Sequence, residues 1–541
     1  MIRVFALLLL ASSIMVSCSN EGEPILDSLA ILSFKIDGTE NLGLSRIQDV
    51  SQTPVFEITF STPIKPEFAS ISFVDISGSQ LLSYSLSTDN TVLTVTAMQP
   101  LDHLSRHLFW ISIDVKGLNG ESMNDQFSQT FYTAVDPTPK FPEISDEDLM
   151  TLVQQQTFKY FWDFAHPASG MARERNNSGD VVTSGGSGFG IMAIVVGIDR
   201  GFITRAEGVD RMARIVNFLE NADRFHGAWP HWINGSSGKV IPFSTKDNGG
   251  DLVETSFLIQ GLLTFRQYLQ PADTAGNNLI IRINTLWQDV EWDWYRRDGQ
   301  NVLYWHWSPN YAWEMNFALS GYFEEQITYF LAAASPTHSI PKIVYTNGFA
   351  KNGSIVKNET FYGINLQLGG LFPLFWVHYS YLGLDPHFSD DYADYWQQNV
   401  NASLINHAYC LANPKHYVGY SDASWGLTAS DNQNGYGAHS PGSDIGVISP
   451  TAALSSFPYT PTESMNALHY FYYTMGDKLW GPYGFYDAFN ITEAWTASSY
   501  LAIDQGPIIV MMENYRTGLL WDLFMSSPEV QVAIDELGFQ Y

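Results

Sequence analysis

The feature that most constrains the fold is a change in hydrophobic periodicity near residue 140. Between residues 28 and 135, apolar and polar residues alternate, as in Ile31–Ile36 and Val55–Phe60. A period of two predicts β-strands with one buried face. After about Asp146 the apolar residues recur every three or four positions, which predicts amphipathic helices. The sequence therefore predicts two domains of different structural classes.

A proline-rich segment separates the two predicted domains. Residues 136–146 contain three prolines, and proline fixes φ and lacks a hydrogen-bond donor, so we expect a stiff linker. Residues 28–135 predict a small all-β, Ig-like sandwich, which we interpret as a spacer or packing partner, with glycan binding as the alternative. Residues 147–541 predict a mainly α toroid, an (α/α)6 barrel, whose loops gather at one end and form a cleft.

The first residues predict export and lipid attachment. Arg3 precedes an apolar run that is shorter than the roughly 20 residues a bilayer span requires. The run ends before Cys18 in a pattern that resembles the lipobox of bacterial lipoproteins. We expect residues 1–17 to be a signal peptide and residues 18–27 an acidic tether behind a lipid on Cys18. An ordinary secreted protein is the alternative.

Charge and cysteine content narrow the classes of partner. Lys and Arg total 27 and Asp and Glu total 56, giving a net charge of −29. Such a chain repels nucleic acid, so no nucleic-acid partner is predicted.

Cys18 and Cys410 are the two cysteines. Once Cys18 carries lipid, Cys410 has no intramolecular partner, and we interpret it as a buried hydrophobic residue.

The strongest chemical pattern is an acidic trio. Asp247, Asp251 and Glu254 are spaced by four and three residues, so on one helix they would share a face. Like charges at that spacing repel by a few tenths of a kcal/mol per pair, at about 0.2–0.5. Acid–base catalysis uses neighbouring carboxyl groups with different pKa values. A catalytic cleft therefore explains why three acidic residues lie close together despite their repulsion. The alternative is a helix start, with Asp251 as N-cap and Glu254 as its capping-box partner.

A second cluster combines aromatic and acidic residues. Indole and phenol rings stack on sugars, and their polar tips need partners, so these residues predict a saccharide cleft. The candidates in this segment are Trp305, His306, Trp307, Tyr311, Trp313, Glu314 and Glu324. For Glu324 the alternative role is a favourable charge near a helix N-terminus. Further loops place similar groups beside glycine and predict the other cleft walls: Trp229, His231, Trp232, Trp425, Asp431, Asp504 and Gln505.

Cofactor and metal motifs are weak. The sequence has no HExxH, CxxC or calcium-loop pattern, so no cofactor and no metal ligand is predicted, and the histidines are interpreted as hydrogen-bonding or core residues. The Gly186–Gly190 segment matches a serine nucleophile elbow only loosely. A serine hydrolase is therefore disfavoured.

At these residues the chain resembles a known family. From Phe161 to the C-terminus it is similar to the glucoamylase-like (glycoamylase) family of bacterial (α/α)6-barrel enzymes, glycoside hydrolase family 144, which includes endo-β-1,2-glucanases. The motifs that carry the resemblance are Gly170–Arg175, Gly188–Met192, Trp229–Trp232, Lys246–Glu254, Tyr304–Pro309, Trp425–Asp431 and Ala502–Pro507. One motif departs from the family: Gly-Tyr-Phe-Glu-Glu stands at 321–325 where Gly-Tyr-Asn-Glu-Ala is expected.

The resemblance implies a glucan hydrolase with an acid-lined cleft, to which Asp247, Asp251, Glu254 and Glu324 contribute. We hypothesise that Glu324 is the acid, that Asp247 or Asp251 activates water, and that Glu254 tunes the cluster. The first expectation is endo-acting, inverting cleavage of β-1,2-glucan. The substrate is an oligo- or polysaccharide.

Three alternative functions are also compatible with the sequence. They are an exo-acting glucoamylase-like glucosidase, a non-catalytic surface glycan-binding lipoprotein, and a polysaccharide lyase, which the negative charge disfavours. We expect the protein to be anchored to the outer membrane of the cell envelope through its lipid only, on the periplasmic or cell-surface face. There we expect surface glycan-uptake proteins as its neighbours.

Overall fold

The computed structural model describes residues 28–79, 81–270 and 274–541. The predicted signal peptide, the tether and Cys18 lie outside these residues. The chain divides into two compact units after Ala134. None of the helices in the described part of the chain combines the length and apolar composition that a membrane span requires.

The first unit is a two-sheet β-sandwich. Its strands are β1 Ile31–Ile36, β2 Thr39–Glu40, β3 Ile47–Val50, β4 Val55–Phe60, β5 Val74–Ile76, β6 Leu82–Leu86, β7 Val92–Ala97, β8 Arg106–Ile111 and β9 Phe127–Thr133. One sheet has the order β2-β1-β4-β7-β6 and the other β3-β9-β8-β5. Alternate residues of each strand face the core, where Phe56 of one sheet stacks on Phe109 of the other at 4.7 Å. The all-β prediction for this region is confirmed.

The proline-rich segment belongs to the second unit and packs against its helical part. The backbone nitrogen of Lys140 donates a 2.7 Å hydrogen bond to the carbonyl of Tyr473. The ring of Phe141 stacks on Tyr472 at 4.7 Å. The end of the segment is therefore held by the helical unit.

The second unit is mainly helical. Its α-helices are α1 Asp146–Trp162, α2 Ser184–Asp199, α3 Arg205–Asn221, α4 Leu252–Tyr268, α5 Thr274–Gln288, α6 Gln326–Ala334, α7 Lys342–Asn347, α8 Tyr395–Ala412, α9 Pro450–Leu454, α10 Pro461–His469, α11 Gly476–Leu479, α12 Ala502–Thr517, α13 Leu519–Met525 and α14 Pro528–Leu537. Between them lie short strands: β10 Val181–Thr183, β11 Trp232–Asn234, β12 Val240–Ile241, β13 Gly250–Asp251, β14 Leu303–Tyr304, β15 His306–Trp307, β16 Ala318–Leu319, β17 Val356–Phe361, β18 Ile364–Leu368, β19 Ala429–Asn432, β20 Gly435–Ala438, β21 Trp480–Gly481, β22 Gly484–Phe485, β23 Phe489–Asn490 and β24 Trp495–Thr496.

Six buried segments form an inner ring within the described residues. They are α2, α4, α6, the 3-10 turns over residues 374–381, α9 and α12, and α12 packs back on α2. Glycine permits the closest crossing, because a Cβ on Gly188 of α2 would lie 2.1 Å from the carbonyl oxygen of Phe257 in α4. Outer helices such as α3 bury one stripe, which includes Met212 and Leu219. This arrangement confirms the predicted (α/α)6 barrel.

Candidate active site

A cavity of about 350 Å³ lies where the inner segments begin. Thr183 caps α2, Glu254 is in the first turn of α4, Glu324 precedes α6, and Leu501 caps α12. The lining residues are Glu174, Arg175, Thr183, His231, Trp232, Phe243, Glu254, Phe257, Trp305, Glu324, Phe375, Tyr379, Tyr436, Leu501 and Ile503. A second, more open cavity of about 410 Å³ shares Arg175 and Tyr436 with the first.

Asp251 caps the N-terminus of α4. Its Oδ1 accepts hydrogen bonds from the backbone nitrogen of Glu254, at 2.9 Å, and from Nε1 of Trp305, at 2.8 Å. Its Oδ2 lies 3.1 Å from Nδ1 of His231. The idea that the acidic trio shares one helix face is therefore wrong, since only Glu254 lies inside the helix and Asp251 is its N-cap. The three carboxylates still lie around two imidazoles: His306 is 3.3 Å from Asp247, and His231 is 3.1 Å from Asp251 and 4.0 Å from Glu254. The pairing of β13 with β15 places His306 opposite Asp251.

The charges around His231 set its protonation. Burial lowers the pKa of this imidazole, but Glu254, Asp251 and Asp247 outweigh burial and raise the pKa to about 9. For Asp251, burial raises the pKa, whereas the hydrogen bond from His231 and the charges of both imidazoles lower it below its ordinary value. His231, at the cavity wall, and the buried Asp251 thus form an ion pair at neutral pH.

Glu254 is held by the start of the neighbouring helix. Its Oε2 accepts from the backbone nitrogen of Gly185 at 2.8 Å and from the Thr183 hydroxyl at 3.2 Å. Its Oε1 lies 4.0 Å from Nε2 of His231. Burial is the largest influence on Glu254, and the pKa of this carboxyl is raised.

Glu324 is a protonated carboxyl that lines the cavity. Its side chain is 8% exposed, and its Oε2 has no hydrogen-bond partner among the described residues. Burial, with a smaller contribution from the charge of Glu254, raises the pKa of Glu324 to about 8. Phe323, at the position where the family resemblance implies Asn, places its ring 5.4 Å from that of Trp376. Glu324 therefore carries its proton at neutral pH.

Glu325, which replaces the alanine expected from the family, is also buried. Neither of its carboxylate oxygens has a hydrogen-bond partner in the described part of the chain. Burial, with the charge of Glu324, raises its pKa well above the ordinary value. Glu325 is not among the residues that line the cavity, so its carboxyl is a buried neutral group next to Glu324 in the chain.

A second acidic group lies around Arg175, where Glu174 and Asp431 line the cavities but Asp487 and Asp504 are buried and line neither, contrary to the prediction for Asp504. Nη1 of Arg175 contacts both carboxylate oxygens of Asp431, at 3.0 and 3.2 Å, and its Nε contacts Glu174. Asp487 accepts from the backbone nitrogen of Asp431 at 2.7 Å, and burial together with the charge of Asp431 raises its pKa to about 7. Burial and Asp487 raise the pKa of Asp504 well above its ordinary value. The positive charge of the Arg175 guanidinium therefore balances one carboxylate charge of this group. The carboxyl of Asp504 stays neutral.

Several predicted cleft residues belong to the core instead. Trp229 and Trp425 are fully buried, and their indole nitrogens donate to the carbonyls of Leu219 and Glu463. Gln505 is buried and donates to the carbonyl of Phe485. The prediction that these three side chains line the cleft is contradicted, because each is buried and donates to a backbone carbonyl inside the protein, although Oε1 of Gln505 has no hydrogen-bond partner among the described residues.

Another predicted group forms a separate aromatic cluster. Trp307 and Trp313 pack around Trp294, with ring centres 6.5 and 6.3 Å away. Glu314 is exposed and pairs with Lys246 at 3.0 Å. Successive strand residues point to opposite faces, so His306 of β15 faces the acidic trio while Trp307 faces this cluster. Tyr311, Trp307, Trp313 and Glu314 are not among the cavity residues.

The predicted residues that do line the cavities are His231, Trp232, Glu254, Trp305, Glu324 and Asp431. Five further cavity residues were not predicted from the sequence: Glu174, Arg175, Thr183, Tyr379 and Tyr436. Two of them have a local signal in the sequence. Arg175 ends the Gly170–Arg175 motif, and Thr183 directly precedes the glycine-rich start of α2. Tyr379 and Tyr436 have no local signal, since only the closure of the ring brings them to the site.

The fold and the site define the class as an (α/α)6-barrel protein with an acid- and aromatic-lined cavity, as in glycoside hydrolases. Comparison with known proteins supports this class. A family model described as "Glycoamylase: Putative glucoamylase" matches residues 316–528. The chain is 48% identical over 419 residues to an "Exo beta-1,2-glucooligosaccharide sophorohydrolase (non-reducing end)" of Parabacteroides distasonis. That match covers 73% of this chain, which spans only 58% of the length of that curated relative.

Solved structures show the same relationship. An endo-β-1,2-glucanase from Chitinophaga pinensis, in complex with sophorotriose and glucose, is 58% identical with a TM-score of 0.73 and covers 74% of this chain and 99% of its own. A β-1,2-glucanase from Parabacteroides distasonis is 39% identical with a TM-score of 0.71, covering 95% of this chain and 73% of its own. The chain therefore belongs to the glycoamylase family, which contains these β-1,2-glucanases.

Proposed function

We propose that this protein is a glycoside hydrolase that cleaves β-1,2-glucan. The names of its relatives support the substrate, and the cavity supports the chemistry. The observation that carries the proposal is Glu324, a carboxyl whose burial raises its pKa to about 8 in a cavity lined by Trp232, Trp305 and Tyr379. A neutral carboxylic acid beside sugar-stacking rings is what protonation of a glycosidic oxygen requires.

In the proposed reaction Glu324 donates its proton to the bridging oxygen as the bond from that oxygen to the anomeric carbon breaks. Water attacks the same carbon and loses a proton to a carboxylate. Asp251 is poorly suited to accept this proton, because both its oxygens face donors and its pKa is lowered. Glu254 is the member of the acidic trio that reaches the cavity. We therefore assign water activation to Glu254 and positioning of His231 to Asp251.

We propose endo-cleavage to short oligosaccharides. The main cavity shares Arg175 and Tyr436 with an open neighbour, so a chain has room on more than one side of Glu324. The alternative is release of disaccharides from the non-reducing end, which the name of the Parabacteroides relative favours. An endo-enzyme yields a broad early range of product lengths, whereas an exo-enzyme yields one product from the start.

The test incubates the mature protein with linear β-1,2-, β-1,3-, β-1,4- and α-glucans and follows product sizes by chromatography. We expect cleavage of β-1,2-glucan, and a loss of about 10²–10⁴-fold in kcat for Glu324→Gln. Glu314→Gln is the matched control, because Glu314 is exposed and outside the cavity. Near-normal turnover of Glu324→Gln would rule out the acid role. Glucan binding without new reducing ends would favour the non-catalytic lipoprotein.

We also propose that the protein is lipid-anchored through Cys18 in the outer membrane, beside glycan-uptake proteins. The support is the lipobox-like sequence that ends at Cys18. Expression with a radiolabelled fatty acid should label the wild-type protein and leave Cys18→Ser unlabelled. Equal labelling of both would contradict the proposal.

A further inference from the structure

An aromatic surface adjoins the main cavity near the start of α6. It consists of Phe317, Phe323 and Trp376, which we call the aromatic shelf and which are not among the residues that line the main or the second cavity. Phe317 is 45% exposed, and the other two side chains are half-buried. Three aromatic side chains are thus accessible outside the two cavities.

The shelf is continuous with the main cavity through two residues that line it. The ring centre of Trp305 lies 5.3 Å from that of Phe317 and 6.4 Å from that of Phe323, with 20° between the planes of the second pair. The ring of Trp376 lies 5.4 Å from Phe323 and 6.0 Å from Phe375. Trp305 and Phe375 both line the cavity. A ligand that leaves the cavity along these two rings therefore meets the shelf next.

Backbone hydrogen bonds fix the positions of the shelf residues. β14 pairs with β16, and the backbone nitrogen of Trp305 donates a 3.0 Å hydrogen bond to the carbonyl of Phe317, just before β16. The backbone nitrogen of Trp376 donates to the carbonyl of Pro373 at 3.2 Å. A surface whose main chain is already fixed loses less conformational freedom when a ligand binds.

The chemistry of the shelf suits a neutral sugar. None of its three side chains carries a charge, and flat aromatic faces stack on the apolar faces of sugar rings. Nε1 of Trp376 donates to no group among the described residues and is not buried, so it is available to a hydroxyl group of a ligand. The shelf therefore offers both a stacking surface and a hydrogen-bond donor.

We propose that the aromatic shelf binds glucosyl units of a β-1,2-glucan chain that extend beyond the main cavity. The inference rests on the proposed function, because its ligand is the chain that the cavity would cleave. The second cavity adjoins the main cavity through Arg175 and Tyr436, whereas the shelf adjoins it through Trp305 and Phe375. A long chain therefore makes contacts that a trisaccharide held in the main cavity lacks, and the protein prefers long chains.

The test compares the binding of long β-1,2-glucan with that of its trisaccharide by calorimetry, in Glu324→Gln protein so that the sugars stay intact. Two further changes are made in this background. Phe317→Ala removes the exposed ring, and Phe323→Leu keeps an apolar side chain but loses the flat face. We expect each change to lower the ratio of the two affinities, long over short, by about fivefold or more.

Tyr362→Ala in the same background is the matched control. Tyr362 is 49% exposed between β17 and β18 and lines neither of the two cavities, so the ratio should be unchanged. Should a shelf variant fail to fold, hydroxyl-radical footprinting of the Glu324→Gln protein takes its place. Long β-1,2-glucan should protect Phe317, Phe323 and Trp376 from oxidation more than the trisaccharide does.

An unchanged affinity ratio in both shelf variants, an equal fall in the Tyr362 control, or equal protection by the two sugars would overturn the shelf as a binding site. Failure of the proposed function looks different. In that case the wild-type protein releases no reducing ends from β-1,2-glucan, while the long chain still protects the shelf and the shelf variants still lower the ratio.

Discussion

The backbone nitrogen of Gly185 donates a 2.8 Å hydrogen bond to Oε2 of Glu254, so the first turn of α2 positions a carboxylate in the first turn of α4. The two helices are neighbours in the inner ring. A helix N-terminus stabilises an anion through its free N–H groups and its dipole. One inner helix therefore orients a reactive group that belongs to the next.

Gly185→Ala should displace Glu254. A Cβ at this position would lie 2.6 Å from Oε2 of Glu254 and 2.9 Å from the ring of Phe257. We expect at least a tenfold loss of kcat for β-1,2-glucan, measured by release of reducing ends. Gly442→Ala is the control, because its nearest neighbours would be 3.6 Å or more from the new Cβ. Equal activity of both variants would show that a Cβ at position 185 does not displace Glu254 from its working position.

Glu324 should cause the activity to decrease at high pH. The acid works only while protonated, so kcat/KM should fall as pH rises through about 8, the pKa to which burial raises this carboxyl. Measurement of initial rates from pH 5 to 10 checks this. A profile that stays flat up to pH 10 would contradict the assignment.

The same carboxyl should make stability depend on pH. Between the ordinary pKa of 4.5 and about 8, the folded chain holds a proton that the unfolded chain releases, so the free energy of unfolding decreases as pH rises. Glu324→Gln removes this dependence. The variant should match the wild-type melting temperature near pH 4.5 and exceed it at pH 8. Calorimetry at both values decides the prediction, and a constant difference would reject it.

Asp251 should contribute to stability and catalysis separately. Asn is a good N-cap, so Asp251→Asn should keep the cap on α4 but lose the charge that pairs with His231. Asp251→Ala loses both, and its free energy of unfolding should be lower than that of the Asn variant by about 1 kcal/mol. Urea unfolding and assays of both variants test this. Full activity of Asp251→Asn would mean that the charge is dispensable.

Arg175→Lys should weaken substrate binding more than turnover. The guanidinium spans Glu174 and Asp431 at the junction of the two cavities, and an ammonium group cannot bond to both in the same geometry. We expect a rise in KM of roughly tenfold with a smaller change in kcat. Arg282→Lys serves as the control, because Arg282 forms its ion pair with Glu220 on the surface. A larger change in kcat than in KM would assign Arg175 to the chemical step.

Much of the fold follows from local sequence. The alternation in Val55–Phe60 and the helical period of Arg205–Asn221 are visible in a single stretch, because each reflects which face of one element is buried. The acidic residues of the site were also found locally. The idea of one continuous helix failed for Asp247 and Asp251, since a capping interaction at Asp251 starts the helix only afterwards.

The residues that line the cavity could not be predicted from any single segment of the sequence. Trp229 and Trp305 both stand near histidine and a further tryptophan in the sequence, yet one fills the core and the other donates to Asp251. That choice depends on which surface each loop meets when the ring closes.

The sequence by itself determined two domains of different classes, the toroid and a set of carboxylates beside aromatic rings, because periodicity and residue type act over a few neighbouring positions. Only the tertiary structure decided which carboxyl stays protonated. Burial of Glu324 and the pairing of His231 with Asp251 arise from contacts between segments far apart in the chain, and the pKa of each group is set by those contacts.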